Sequence, residues 1–265
     1  MAPMTETPIL DQWATYLAQR NRSPATIRAY LTTMATFPDP LSATLADVDD
    51  WWTVQQRLAV PSRRRALGAV RSFYRWAARF DHRPDDPTRR LDAPSQGRRI
   101  PRPIGRADLL AILSQATPAM RRAVCLGAYA GLRVSEAADL DWSDIDIEAR
   151  RIYVRGKGDK DRPVGLSPLL LDELLPNVGG NVVTAGGEPM SADTLQRAAN
   201  RAIRAAGIDA TFHKLRSRYA TVTLAATGNL LAVSRSLGHA SPATTAIYAL
   251  TADSDLDLIA EAAAR

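Results

Sequence analysis

RIYVRGKGDKDRPVGL, residues 151–166, is where the spacing of apolar residues in this chain changes from helical to alternating. Ile152 and Val154 before the turn, and Val164 and Leu166 after it, fall on alternate positions, and the Gly-rich GKGDKD between them reads as the loop of a β-hairpin. On either side the apolar residues return to helical spacing. The expected fold class is therefore mainly α with a small β-hairpin or sheet element, an α+β domain preceded by an all-helical one.

Working outward toward the N-terminus, residues 1–82 read as a small helical unit. Ser23 followed by Pro24 is an N-cap and first-turn pair, opening a helix through Ile27, Tyr30, Leu31 and Met34. A second helix is expected around Val48 to Leu58. After Pro61 comes SRRRALGAVRSFYRWAARF, residues 62–80, which contains six Arg and no acid. At about 100° per residue, Leu67, Val70, Phe73, Tyr74 and Ala77 share one side and Arg64, Arg71, Arg75 and Arg79 the other. A solvated helix face normally mixes both signs of charge, so these four arginines are candidate DNA contacts. Residues 83–103, with Pro84, Pro87, Pro94, Pro101 and Pro103, are expected to be a linker, and residues 104–265 a second domain. The closing DLDLIAEAAAR, residues 255–265, reads as one more short helix.

The 265 residues suffice for two modest cores without covalent staples. Cys125 is the sole cysteine and lies within an apolar run, which excludes a disulfide framework and reads as an inert core thiol. Glu6 and Asp11 stand where a secretory signal needs positive charge, and no apolar run approaches the roughly 20 residues of a membrane span, so a cytoplasmic protein without membrane contact is expected. The net charge of +6 favours a polyanionic partner, because neutralised phosphates release condensed counterions. Lysine occurs only at 157, 160 and 214. The arginine bias suits phosphate recognition, and a GC-rich genome would produce it equally well.

Four fragments carry the chemistry: AGLRVSEAADL (130–140), RGKGDKDRPV (155–164), HKLRSRYAT (213–221) and LGHASPATTAIY (237–248). Arg133 follows Gly131 at an expected helix start, where exposed N–H groups favour phosphate, and Glu136 sits three residues on, able to orient it. His213 and Arg216 are likewise three apart and project together from a helix. Lys157, between Gly156 and Gly158, could hand a proton to a leaving alkoxide; residue physics alone leaves Lys160 its equal. His239 precedes the cap pair Ser241-Pro242 of a short helix bearing Tyr248, whose hydroxyl, with an ordinary pKa of about 10, needs cationic surroundings to act as a nucleophile. No acidic cluster, zinc-ligand spacing or Walker loop is present, so no metal and no cofactor is expected.

Taken together, with a Tyr nine residues after the His, the fragments resemble the tyrosine recombinase (phage integrase) family over the whole second domain, and residues 1–82 are similar to its core-binding domain. The resemblance implies Arg133 and Arg216 as a phosphate clamp, with His213 and His239 as further catalytic groups. It favours Lys157 over Lys160 and implies Tyr248 as a nucleophile forming a 3′-phosphotyrosyl bond. Where the family commonly has a second His after the HxxR arginine, Ser217 stands here. The resemblance further implies a homo-tetramer on double-stranded DNA, clamped from both sides. With no room ahead of the first helices for an arm-binding domain, a compact phage or mobile-element integrase is expected. A Xer-type dimer resolvase is the alternative within the family, and a type IB topoisomerase-like relaxing enzyme the one outside it.

Overall fold

The computed structural model describes residues 8–95, 97, 103–156, 161–175, 179–239 and 241–248. Residues 1–98 and 99–265 form two compact units with separate cores.

The first unit is a four-helix cluster: α1 (Ile9–Gln19), α2 (Pro24–Met34), α3 (Leu45–Gln55) and α4 (Val60–Arg79). Ser23 caps α2 as the sequence suggests, its Oγ accepting from the Thr26 N–H at 3.3 Å, with Pro24 in the first turn. Helix α3 starts and ends about one turn earlier than expected. The reason is a capping box, in which the Thr44 hydroxyl accepts from the Asp47 N–H at 3.2 Å and the Asp47 carboxylate accepts from the Thr44 N–H at 2.8 Å. The amphipathic face of α4 drives the assembly: Leu67, Val70, Phe73, Tyr74 and Ala77 are buried against Trp13, Leu17, Met34 and Trp51. Trp13 stacks on Tyr30 at 5.8 Å and meets Phe73 edge-on at 5.4 Å, the offset and T-shaped geometries that ring quadrupoles favour.

The stretch expected as linker is partly folded onto this unit. Asp86 caps a 3-10 turn, Pro87–Arg90, by accepting from the Thr88 N–H at 2.9 Å, and Leu91 enters the same core. Arg83 reaches back to the Pro40 and Leu41 carbonyls, each at 3.1 Å.

The second unit runs α5 (Arg106–Gln115), α6 (Pro118–Tyr129), α7 (Val134–Asp139), β1 (Ile145–Asp146), β2 (Arg151–Val154), β3 (Arg162–Gly165), α8 (Pro168–Leu174), β4 (Thr184–Ala185), β5 (Glu188–Pro189), α9 (Ala192–Ala205), α10 (Phe212–Thr227), α11 (Leu230–Leu237) and α12 (Ala243–Ala246). Strands β2 and β3 pair antiparallel with Ile152 opposite Val164 and Val154 opposite Arg162, so Ile152, Val154, Arg162 and Val164 all face inward. A third strand, β1, extends this sheet, and β4–β5 make a second hairpin; the sequence reading anticipated neither. Cys125 lies fully covered in the middle of α6, and burial pushes its thiol up to about 12, as an inert core residue requires.

Candidate active site

Helix α7 begins at Val134, and Arg133, with its extended backbone, is the N-cap before it. Glu136, three residues in, closes the cap by accepting from the Arg133 N–H at 2.8 Å and also takes a side-chain bond from Arg133 Nη1 at 2.7 Å. Two more arginines converge on the same carboxylate. Arg162 approaches from β3 in a bidentate fork, Nη1 and Nη2 donating to Oε1 and Oε2 at 2.9 and 2.8 Å, while its Nε donates to the Ser236 carbonyl at 2.7 Å. Arg216, near the start of α10 and 2% exposed, donates to the carbonyls of Gly131 at 2.7 Å and Leu237 at 2.5 Å and lies 3.7 Å from Glu136.

One carboxylate thus gathers three guanidinium groups from three elements, leaving the site with a surplus of positive charge. Burial alone would push the Glu136 carboxyl up; the Arg162 fork and the Arg133 N–H outweigh it and hold the group at about 2. Burial, with the neighbouring Arg133, brings Arg216 down to about 10, still well above neutrality, so it stays protonated.

Two glycines shape the arginine seats. Gly131 has φ +66°, and an added Cβ would meet the Tyr219 ring at 2.5 Å; its carbonyl is thereby turned toward Arg216. Gly238, at φ +63°, packs so closely on Arg162 that a Cβ would lie 3.0 Å from Cδ, and its carbonyl accepts from Arg133 Nη2 at 3.3 Å.

His213 stands in the first turn of α10, where burial followed by the charges of Arg216, Lys214 and Arg133 lowers its pKa. His239 follows α11. Burial, then Arg216, Arg133 and Arg162, brings its pKa down to about 4. Its Nδ1 is 2.7 Å from the buried hydroxyl of Thr245 on α12, so Nε2 is the nitrogen left for a substrate. Tyr248, just beyond α12, is 5% exposed, with its ring against Ala220, Leu224, Val233 and Leu237. It lies close enough to Arg216 for a phenolate there to stabilise the guanidinium. Arg133, His213 and Arg216 also line a hollow of about 330 Å³.

The fold therefore brings Arg133, Glu136, His213, Arg216, His239 and Tyr248 together. Lys157 and its rival Lys160, like the closing segment 255–265, lie outside the described residues. Arg162 is the residue that sequence reasoning missed, although an arginine at an inward position of the alternating hairpin was a readable signal. Such a site can hold both non-bridging oxygens of a phosphodiester with Arg133 and Arg216, offer neutral imidazoles for proton exchange, and present a tyrosine hydroxyl beside them.

The basic face of α4 is divided. Arg64 donates to the Pro94 carbonyl at 2.7 Å and Arg71 to that of Leu91, so both hold the chain's own 91–94 stretch against the helix. Arg75 and Arg79 are exposed.

Comparison with known proteins gives a consistent picture. The family described as "Phage integrase family" matches residues 107–254, and "Phage integrase, N-terminal SAM-like domain" matches residues 10–80. A protein named tyrosine recombinase XerC from Rhodospirillum centenum is 34% identical over 71% of this chain, which spans 61% of that protein's length. XerC of Corynebacterium efficiens is 31% identical over 86% of this chain and 81% of its own. Among solved structures, residues 75–356 of lambda integrase, crystallised as a dimer bound to a COC' core site, superpose with a TM-score of 0.76 at 23% identity, covering 91% of this chain and 93% of that one. XerA recombinase, at 27% identity, gives a TM-score of 0.54 and covers 95% and 96%.

Proposed function

The chain belongs to the phage integrase family of tyrosine recombinases, and from that premise we propose that it cuts and rejoins duplex DNA at specific sites through a covalent 3′-phosphotyrosyl bond to Tyr248. The observation that carries this reading is the single carboxylate, Glu136, fixing three arginines beside two histidines and a tyrosine.

In the proposed reaction the Tyr248 oxygen attacks the scissile phosphorus, the bond from phosphorus to the 5′ oxygen breaks, and the departing 5′ oxygen takes up a proton. The phosphodiester energy is kept in the new phosphotyrosine. Attack by the 5′-hydroxyl of a partner strand reverses these steps and releases the tyrosine. Arg133 and Arg216 hold the non-bridging oxygens, where charge grows in the transition state. Glu136 keeps them aimed. His213 and His239, neutral near pH 7, are suited to receive and return the tyrosine proton. Lys157 is proposed as the donor to the departing 5′ oxygen. Exchange between two sites needs four such tyrosines, so a homo-tetramer in the cytoplasm on two duplexes is the proposed working assembly; a lambda integrase neighbour was crystallised as a tetramer bound to a Holliday junction.

Integration or excision of a phage or mobile element is the proposed role. The XerC and XerD names of the sequence relatives favour a second reading, resolution of chromosome or plasmid dimers. Recombination between attachment sites flanking the gene supports the first; activity only on directly repeated chromosomal sites supports the second.

The chemistry is tested with a nicked duplex whose cleavage releases a short fragment that diffuses away. Wild type should run as a slow, denaturant-resistant protein–DNA band, with chelator present. Tyr248→Phe keeps the ring and loses the nucleophile, so it should bind DNA and give no band. A band persisting in Tyr248→Phe, or one requiring a divalent ion, rejects the assignment.

A further inference from the structure

A helix leaves its last carbonyls without partners inside it, and those of α11 are all taken up by neighbours. The Ser234 and Arg235 carbonyls accept from the backbone N–H groups of His239 and Gly238, at 3.1 and 2.9 Å, as the chain turns through the left-handed Gly238. The next three accept from arginines instead: Ser236 from Arg162 Nε at 2.7 Å, Leu237 from Arg216 Nη2 at 2.5 Å and Gly238 from Arg133 Nη2 at 3.3 Å. The three guanidinium groups that meet at Glu136 are thus each seated a second time, on three successive carbonyls at the negative end of α11. A slide or rotation of that end would unseat all three together.

Tyr219, on α10, ties this end down. Its hydroxyl shares a hydrogen bond of 2.7 Å with the Ser236 hydroxyl, and its ring lies against Gly131, whose carbonyl is the other seat of Arg216. One side chain therefore touches both backbone stretches on which the arginines rest, the turn before α7 with its ring and the last turn of α11 with its oxygen. Packing against Gly131 asks only for a ring; the hydroxyl serves Ser236. Tyr219 does not line the hollow that Arg133, His213 and Arg216 share, so it acts through other groups. We propose that Tyr219 is a positioning residue for strand cleavage: its hydroxyl, bonded to Ser236, fixes the last turn of α11 where the Ser236, Leu237 and Gly238 carbonyls aim Arg162, Arg216 and Arg133. The proposal rests on the reading of the chain as a tyrosine recombinase. Removing the hydroxyl leaves the positive charge of the site in place, so it costs rate and spares DNA affinity.

The full chain is assayed in single turnover on the nicked duplex, with DNA affinity measured separately by fluorescence anisotropy. Tyr219→Phe keeps the ring and removes the oxygen, while Ser236→Ala removes the other half of the bond and keeps the carbonyl. Each should slow formation of the covalent band by about 5- to 10-fold, the worth of one hydrogen bond, with affinity unchanged. The double variant should be no slower than either alone, because both substitutions remove the same bond. A duplex with a methylphosphonate at the scissile position separates the aiming of arginines from general loosening. There a methyl group replaces one non-bridging oxygen and the negative charge is gone, so the arginines have less to neutralise. On that substrate the deficit of the variants relative to wild type should largely disappear. Undiminished rates in the single variants, losses that multiply in the double variant, a fall in affinity that matches the fall in rate, or an equal deficit on both substrates would each overturn the proposal. Absence of a covalent band in wild type would reject the recombinase reading and the proposal with it; a wild-type band with undiminished variants would reject the role of Tyr219 alone.

Discussion

The Glu136 carboxylate is largely covered by Arg133, Arg162 and Arg216, and the burial of its charge is tolerable because both oxygens accept hydrogen bonds from these cations. Arg162 supplies two of those bonds without lining the hollow itself, so it acts through Glu136 on the two arginines that would touch phosphate. Arg162→Lys keeps the charge and loses the fork, whereas Arg162→Met removes both. Because a displacement of about 1 Å in a catalytic group can cost about 10²-fold, Arg162→Met should slow single-turnover cleavage by about that factor, with Arg162→Lys in between and DNA affinity nearly unchanged. Equal loss of binding and cleavage would make Arg162 a merely structural residue. The electrostatics of the buried imidazoles lead to a second prediction. The pKa of His239, at about 4, and that of His213 are lowered by burial and neighbouring arginines, so the folded protein binds these protons less readily than the unfolded chain. Their contribution to stability is complete above the ordinary value of about 6.5 and is lost as pH falls below it, down to about 4 in the case of His239. Glu136, held at about 2, adds a loss between 4.5 and 2. Cleavage should accordingly stay level from pH 8 down to below 6.5, and a rate halved near pH 7 would contradict the neutral imidazoles.

At the scale of elements, what the sequence disclosed depended on how local the cause was. Ser23-Pro24 caps α2 through a bond only three residues long, and the apolar stripe of α4 is a periodicity within one helix; both were legible. The two-residue strands β1, β4 and β5 carry no periodicity to read, and Leu91 joins a core assembled from residues far from it in sequence. In the site, the spacing within two fragments foretold which side chains share a face, because Arg133 with Glu136 and His213 with Arg216 are helical neighbours. The meeting of Arg162 with Glu136, 26 residues apart, was a fact of tertiary structure alone. The turn before α7 shows how such an element can fail. Gly131→Ala must place a Cβ 2.5 Å from the Tyr219 ring at φ +66°, where the left-handed backbone alone costs about 1–2 kcal/mol. The adjustment would rotate the carbonyl that holds Arg216. Gly131→Ala should therefore lower the urea midpoint and reduce trapping by about 10-fold or more, since loss of one transition-state donor costs about 10²-fold. A full trapping yield in a destabilised Gly131→Ala would separate the carbonyl from the chemistry.

At the scale of the whole molecule, the described residues of each unit bury their own apolar side chains: the first in a core built on Trp13, Phe73 and Tyr74, the second in a large core on α6 with Leu126, Ile152 and Leu215 and a smaller cluster around Tyr248. Each unit has its own cooperative reason to fold, and the candidate catalytic residues lie wholly in the second. Two-state behaviour belongs to single domains, so scanning calorimetry of the full chain should give an endotherm that resolves into two components. Phe73→Ala, which removes a fully buried ring at a cost of about 3–5 kcal/mol, should lower one component and leave the other in place. Leu126→Ala, costing about 2–5 kcal/mol in the other core, should do the reverse. The functional consequences should divide in the same way. Near the first transition of Phe73→Ala, DNA affinity should fall while the protein already bound still forms the covalent band, because the groups around Glu136 remain folded. In Leu126→Ala the band should disappear with the second transition. A single endotherm displaced as a whole by either substitution would mean that the two cores fold as one unit, and that affinity and chemistry cannot be perturbed separately through them.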